Sequence, residues 1–177
     1  MFFELKFMHL LPFSQYEKLY KKGFGLRYND NLLISDFELF FSFEQNLLDD
    51  HEKEKIKKEI ESAKEFAKKN KEVYEVFKFL RKNGYIARET LDIETNELYL
   101  LCSKKGYRQE RDITKFIIKV FRNEDEIKLE KITNDVKMAL EMKKSLVYAI
   151  VKDKEENQES EEIDDLHFYV IISMKFD

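Results

Sequence analysis

His9, His51 and His167 are the only imidazoles in a chain of 177 residues. Imidazole is the side chain best suited to moving protons near neutral pH, so general acid–base chemistry would fall to these three or to carboxylates. His51 lies in the charged run Asp49-Asp50-His51-Glu52-Lys53 and reads as a surface residue. His9 sits in an apolar segment. His167 opens an apolar run beside acidic residues, where a carboxylate contact would favour its charged form. With 36 acidic residues, adjacent carboxylates such as Asp164-Asp165 carry no information about an acid/base pair. A metal-dependent nuclease needs carboxylates on a rigid strand beside a lysine, and no cluster has that spacing. No phosphate-binding glycine loop, H-E-x-x-H or G-x-S-x-G occurs either. The expectation is therefore no metal and no cofactor. The single cysteine, Cys102, excludes an internal disulfide and any zinc site built from several thiolates. It reads as a small buried hydrophobe.

The elements that hold these residues come from a sequence 43% hydrophobic and 38% charged, with four glycines and one proline. That is enough apolar surface for a core beneath a densely charged exterior. A Lys/Glu-rich mix accompanies proteins of hot environments, where ion-pair networks contribute more, and genome base composition produces the same mix. Residues 1–12 are apolar but contain Glu4 and Lys6, with no basic leader and no small-residue cleavage site, so they predict a strand rather than a signal peptide. No stretch approaches about 18 uncharged apolar residues, so no membrane span is expected. The sparse cysteine usage fits a reducing, cytoplasmic setting.

Along the chain, Asn29-Asp30-Asn31 predicts a turn. Ser35, with Glu38 three residues on, predicts a capping box ahead of a short helix through Phe37, Phe40, Phe41 and Phe43. Residues 49–70 predict a charged helix with a narrow stripe of Ile56, Ile60, Ala63 and Ala67, read as a tether and packing bridge. Val73, Val76, Phe77 and Leu80 predict the next helix, ended by Gly84. Strands are predicted from Tyr85, over 97–102 and over 115–121, then a helix with Leu129, Ile132, Val136, Ala139 and Leu140 facing inward. Residues 145–151 read as a central strand and 167–174 as the last. The expectation is a mixed α/β (α+β) chain: a small N-terminal α/β domain over 1–70 with its charged bridging helix, then a C-terminal mixed-sheet domain over 71–177.

Two segments stand out. Between the last two strands, Asp153, Glu155, Glu156, Glu159, Glu161, Glu162, Asp164 and Asp165 face only Lys152 and Lys154. This is either a solvated excursion or an acidic plug for a basic cleft on a partner. In the last strand, Phe168, Tyr169, Val170, Ile171 and Ile172 are apolar toward both faces. Such a strand either lies at the centre of its own sheet or pairs across a subunit interface; the second reading is preferred, because an open apolar edge invites aggregation.

Residues 74–88, Tyr-Glu-Val-Phe-Lys-Phe-Leu-Arg-Lys-Asn-Gly-Tyr-Ile-Ala-Arg, resemble the opening helix, Arg-x-x-Gly-Tyr-like corner and first strand of the C-terminal domain of archaeal tRNA-splicing endonucleases. Residues 116–121, 129–142 and 143–153 resemble that domain's following strand, helix and strand, and the tail through Phe176 its closing strand. Residues 25–40 are similar to the family's small N-terminal domain. The resemblance implies metal-independent scission at a bulge–helix–bulge of precursor tRNA, leaving 2′,3′-cyclic phosphate and 5′-hydroxyl ends. It also implies a catalytic Tyr, His and Lys. Their positions fall near Leu101 or Cys102, near Ile113 and at Ser145, and none carries the required residue. Tyr99, Tyr107 and Lys144 lie close but out of register, and in a strand a one-residue offset reverses the side chain.

The family also implies heterotetramers in which one subunit is structural, closing strands that pair across a dimer, and an acidic loop docked in another subunit. The expectation is a non-catalytic subunit, inactive alone, that pairs with a catalytic subunit and meets precursor tRNA through the complex. One alternative is a catalytic subunit using Lys144, Tyr99 or Tyr107, and His167. Another is an interaction module unrelated to RNA.

Overall fold

The computed structural model describes residues 8–92, 95–103, 114–152 and 166–171. They form two compact units that divide in sequence between Tyr74 and Glu75.

In the N-terminal unit, β1 (Met8–Pro12), β2 (Leu26–Tyr28) and β3 (Asn31–Ser35) form an antiparallel sheet with β3 in the centre. α1 (Phe13–Lys21) follows β1, and α2 (Asp36–Glu44) follows β3. The Ser35 capping box is present: its side chain accepts from the Glu38 amide, and the Glu38 carboxylate accepts from the Ser35 amide. That carboxylate also accepts from the amide of Gly25 at 3.1 Å, so one buried acid ties the helix start to the β2 entry. Gly25 has φ +67, and a Cβ there would lie 2.7 Å from Leu32 Cδ1 and 2.8 Å from the Leu33 carbonyl oxygen. Only glycine fits both constraints.

The charged stretch 49–70 is two helices rather than one. α3 (Asp50–Lys55) ends at Ile56, where φ −117 and ψ 30 leave the helical region, and α4 (Lys57–Lys69) begins. A second capping box, Asp49 with Glu52, starts α3. The stripe Ile56, Ile60, Ala63 and Ala67 is buried, and α4 packs on α2. The Phe37 ring stands 5.4 Å from Phe66 of α4.

In the C-terminal unit, which takes up α5 (Lys71–Lys82) from Glu75 onward, a five-stranded mixed sheet runs β4 (Ala87–Leu91), β5 (Leu98–Cys102), β6 (Phe116–Arg122), β7 (Ser145–Val151), β8 (Leu166–Ile171). Only β6 and β7 are parallel, joined by α6 (Leu129–Glu141) as a β–α–β crossover. α6 covers the face made by Tyr99, Leu101, Ile117, Phe121, Leu146 and Tyr148. Burying each large apolar side chain there contributes roughly 1.5–3 kcal/mol.

The inward face of α6 differs from expectation. Ile132, Val136 and Ala139 pack on the sheet, but Leu129 and Leu140 are 77% and 57% exposed, and Asp135 is buried in their stead. The phase is set by an ionic partner beneath the helix rather than by the leucines. The last strand is not central: β8 pairs with β7 alone among the described strands, and lies at the sheet edge.

Candidate functional site

The corner that bears on chemistry is where α6 hands the chain to β7. α6 ends in a Schellman turn: the Lys143 amide donates to the Leu140 carbonyl and the Lys144 amide to the Ala139 carbonyl. Lys143 takes φ 54 without being glycine. The turn aims Lys144 at the start of β6, where its ammonium donates to the Thr114 carbonyl and hydroxyl oxygens, both at 2.8 Å. Burial first, then the nearby charge of Lys115, holds Lys144 below the ordinary lysine range. Lys144 therefore clasps the parallel strands where they begin, together with the Ser145 amide bonded to the Lys115 carbonyl.

The other residues singled out in the sequence do not gather around it. Tyr99, on β5, is 6% exposed and belongs to the core beneath α6. Burial first, and then the charge of Asp92, raises its phenol above the ordinary range against the opposing Lys119, which suits a packed tyrosine rather than a proton donor. His167, on β8, lies opposite Ile150 near the far end of β7, about 16 Å along the strand from Ser145. Lys144 and His167 are thus at opposite ends of the same strand pair. His9 is in the N-terminal unit, 2.7 Å from Asp36. His51 is exposed on α3. Cys102 is buried with its thiol pushed up to about 12, by burial against the opposing charge of Arg81, and is inert. Tyr107, the acidic residues 153–165 and Ile172 lie outside the described residues. Among the described residues no group of three or more His, Cys, Asp or Glu could hold a metal ion.

A buried charge cluster was not anticipated. Lys119, in the middle of β6 and 4% exposed, donates to Asp135 of α6 at 2.5 Å and to Glu97 at 2.9 Å. Tyr148 of β7 donates to the other Asp135 oxygen at 2.8 Å, and Lys131 closes on Glu97 from the rim. Burial opposes the charge on Lys119, but hydrogen bonds and charges of Asp135 and Glu97 outweigh it and hold the ammonium above the usual range. Glu97 likewise resists its burial: Lys131 and Lys119 hold it below the carboxylate range. The sequence carried a signal for this. Lys119 interrupts an apolar strand, and Asp135 falls on the stripe of Ile132, Val136 and Ala139. Two opposite charges in core phase require each other.

The second surface is β8. Phe168, Tyr169 and Val170 are 37%, 55% and 59% exposed, and Phe79 of α5, 43% exposed, stands 5.7 Å from the Phe168 ring. The edge carries no lysine or proline between Leu166 and Ile171, so nothing in its composition discourages another strand from pairing.

A mixed five-stranded sheet with a β–α–β crossover defines a mixed α/β domain. Residues 70–159, just over half of the chain, match the family model of the tRNA intron endonuclease, catalytic C-terminal domain, and the chain belongs to that family. The family forms oligomeric endonucleases that act on precursor tRNA. No curated protein matches the chain. No helix among the described residues is long and apolar enough to cross a membrane.

Proposed function

We propose that this chain is the structural, non-catalytic subunit of a tRNA-splicing endonuclease. In this reading it binds a catalytic subunit through β8, and the acidic residues 153–165 hold an opposing subunit pair. The assembled complex then excises introns at bulge–helix–bulge sites, with 2′,3′-cyclic phosphate and 5′-hydroxyl products, in the cytoplasm and without a cofactor. The observation that carries the reading is the occupied corner. The Lys144 ammonium serves the Thr114 oxygens, and no histidine occurs between His51 and His167. Among the described residues that corner holds no further group suited to take a ribose hydroxyl proton or to protonate a leaving oxygen.

The test is cleavage of an intron-containing transcript by the purified chain, by its catalytic partner and by their mixture. The chain alone is expected to cut nothing. Deleting 153–165 should abolish the higher assembly seen in sedimentation. Cutting by the isolated chain, or assembly unchanged by the deletion, overturns the proposal.

A second reading, favoured by the match to the catalytic domain and by the depressed pKa of Lys144, is a subunit that cuts RNA with Lys144, Tyr99 or Tyr107, and His167; the separation of His167 from Lys144 along β7 counts against it. The double substitution Lys144→Ala, His167→Ala separates the two. The structural role predicts cleavage by the complex within about twofold of the unmodified rate, whereas loss of a positioned acid–base group slows it by about 100-fold or more.

A further inference from the structure

Arg27 lies on β2, an edge strand of the N-terminal sheet, and its guanidinium carbon stands 4.6 Å from the centre of the Phe13 ring. Phe13 opens α1 and meets Tyr20 edge to face at 5.3 Å. Lys21 and Lys22 follow Tyr20 at the C-terminal end of the same helix. One run of contacts thus joins a planar cation and two rings. Arg27, Lys21 and Lys22 are exposed, and the two rings are half-buried.

Fold stability does not account for this arrangement. Only six of the 32 cations in the chain are arginine. Among the described residues the Arg27 side chain makes no hydrogen bond or ion pair, although the chain holds 36 acidic side chains. Lys22 has no such partner there either, whereas Lys18 is bonded to Glu52 and Lys21 to Glu17. Residues 13–30 carry four cations against Glu17 and Asp30, in a chain of net charge −4. A guanidinium lying on one ring keeps its other face for a second planar group, and its N–H fork for anionic oxygens.

We propose that Arg27, backed by Phe13 and Tyr20, receives an unpaired nucleotide of RNA. The base stacks on the open guanidinium face, and the N–H fork takes the adjoining phosphate. Stacking on planar side chains together with a basic flank is the chemistry by which single-stranded RNA is held; an anion without a base would gain nothing from the rings. The proposal rests on the reading of the chain as part of an RNA-processing complex.

The full chain is titrated into a labelled unstructured RNA oligonucleotide and into an RNA duplex of equal length, with anisotropy followed at several salt concentrations. Arg27→Ala should weaken single-strand binding roughly tenfold, the scale of one lost stacking contact. Arg27→Lys should keep the salt dependence and still lose most of that affinity. Arg27→Ala should also lower the logarithmic salt slope by about 0.7, one phosphate contact on a single strand. The proposal is overturned if the unmodified chain fails to bind the single strand, if Arg27→Lys binds as well as the unmodified chain, or if Arg27→Ala weakens duplex and single strand equally. Sedimentation with a catalytic subunit does not depend on Arg27. Failure here therefore leaves the subunit role standing, and failure of that role leaves this binding measurable.

Discussion

Lys119 shows how one residue organises its surroundings. An ammonium in the middle of a buried strand is tolerable only while Asp135 and Glu97 face it. Removing it should therefore be worse than replacing the group as a whole. Lys119→Ala is expected to destabilise the chain by about 3–5 kcal/mol, by stranding Asp135. The triple change Lys119→Met, Asp135→Leu, Tyr148→Phe is expected to lie within about 1 kcal/mol of the unmodified protein or above it. Urea midpoints compare the two, and equal losses would refute the pairing argument. The same cluster sets a pH window. The raised pKa of Lys119 gives stability that is complete below its unfolded value of about 10.4 and fades as pH climbs through the folded value. The lowered pKa of Glu97 gives stability that is complete above about 4.3 and fades as pH falls through its folded value. The cluster's own contribution is flat between these limits and falls on both sides, and Glu97→Gln should shrink the acid limb of the midpoint profile. Both charges were visible in the sequence as interruptions of apolar runs. Their pairing was not, because it joins residues 16 apart through a crossover whose phase the apolar pattern misstated.

At the scale of elements, local chemistry was legible and phase was not. The Ser35–Glu38 box reads directly because donor and acceptor lie within one helical turn. Ser35→Ala should lower stability by about 1 kcal/mol, measured as a urea midpoint. The end of α6 carries the opposite opportunity. Lys143 holds a left-handed conformation at φ 54, which costs a residue with a Cβ about 1–2 kcal/mol relative to glycine. Lys143→Gly should stabilise the chain by up to about 1 kcal/mol, because the greater freedom of unfolded glycine offsets part of the gain. A loss of stability would show that the Schellman turn is not limited by its backbone. The α6 face was misread because Leu129 and Leu140 match a helical period as well as the true stripe does, and only the position of Lys119 below the helix selects between them. Residues 49–70 were misread as continuous because an unbroken charged run gives no local sign that the backbone leaves the helix at Ile56. Lys144 was picked out as the basic residue of its corner, but that its ammonium is satisfied by Thr114 depends on β6 and β7 starting side by side.

For the molecule as a whole, the informative feature is an edge that looks unfinished. An apolar strand is as compatible with the middle of a sheet as with its rim, so alternation alone could not place β8. The pairing order does: β7 covers one side, and Phe168, Tyr169 and Val170 stay substantially exposed. The exposure is on both faces, since Phe168 and Val170 share the face of Ala149 and Val147, while Tyr169 shares that of Tyr148. A partner strand laid along β8 would satisfy the outer backbone groups and bring new side chains over both rows. Val170 is 59% exposed, so Val170→Lys removes little from the fold of this chain and its melting should shift by less than the equivalent of about 0.5 kcal/mol. A lysine in the strand is also a device that discourages edge pairing. If β8 is the subunit contact, Val170→Lys should weaken sedimentation-measured assembly with the catalytic subunit tenfold or more and lower cleavage in proportion, with both recovering as subunit concentration rises. If assembly is unchanged while the variant stays folded, the subunits meet elsewhere and the exposure of β8 needs another cause. The outcome is independent of Lys144, because it reads the edge of the sheet rather than the corner where β6 and β7 begin.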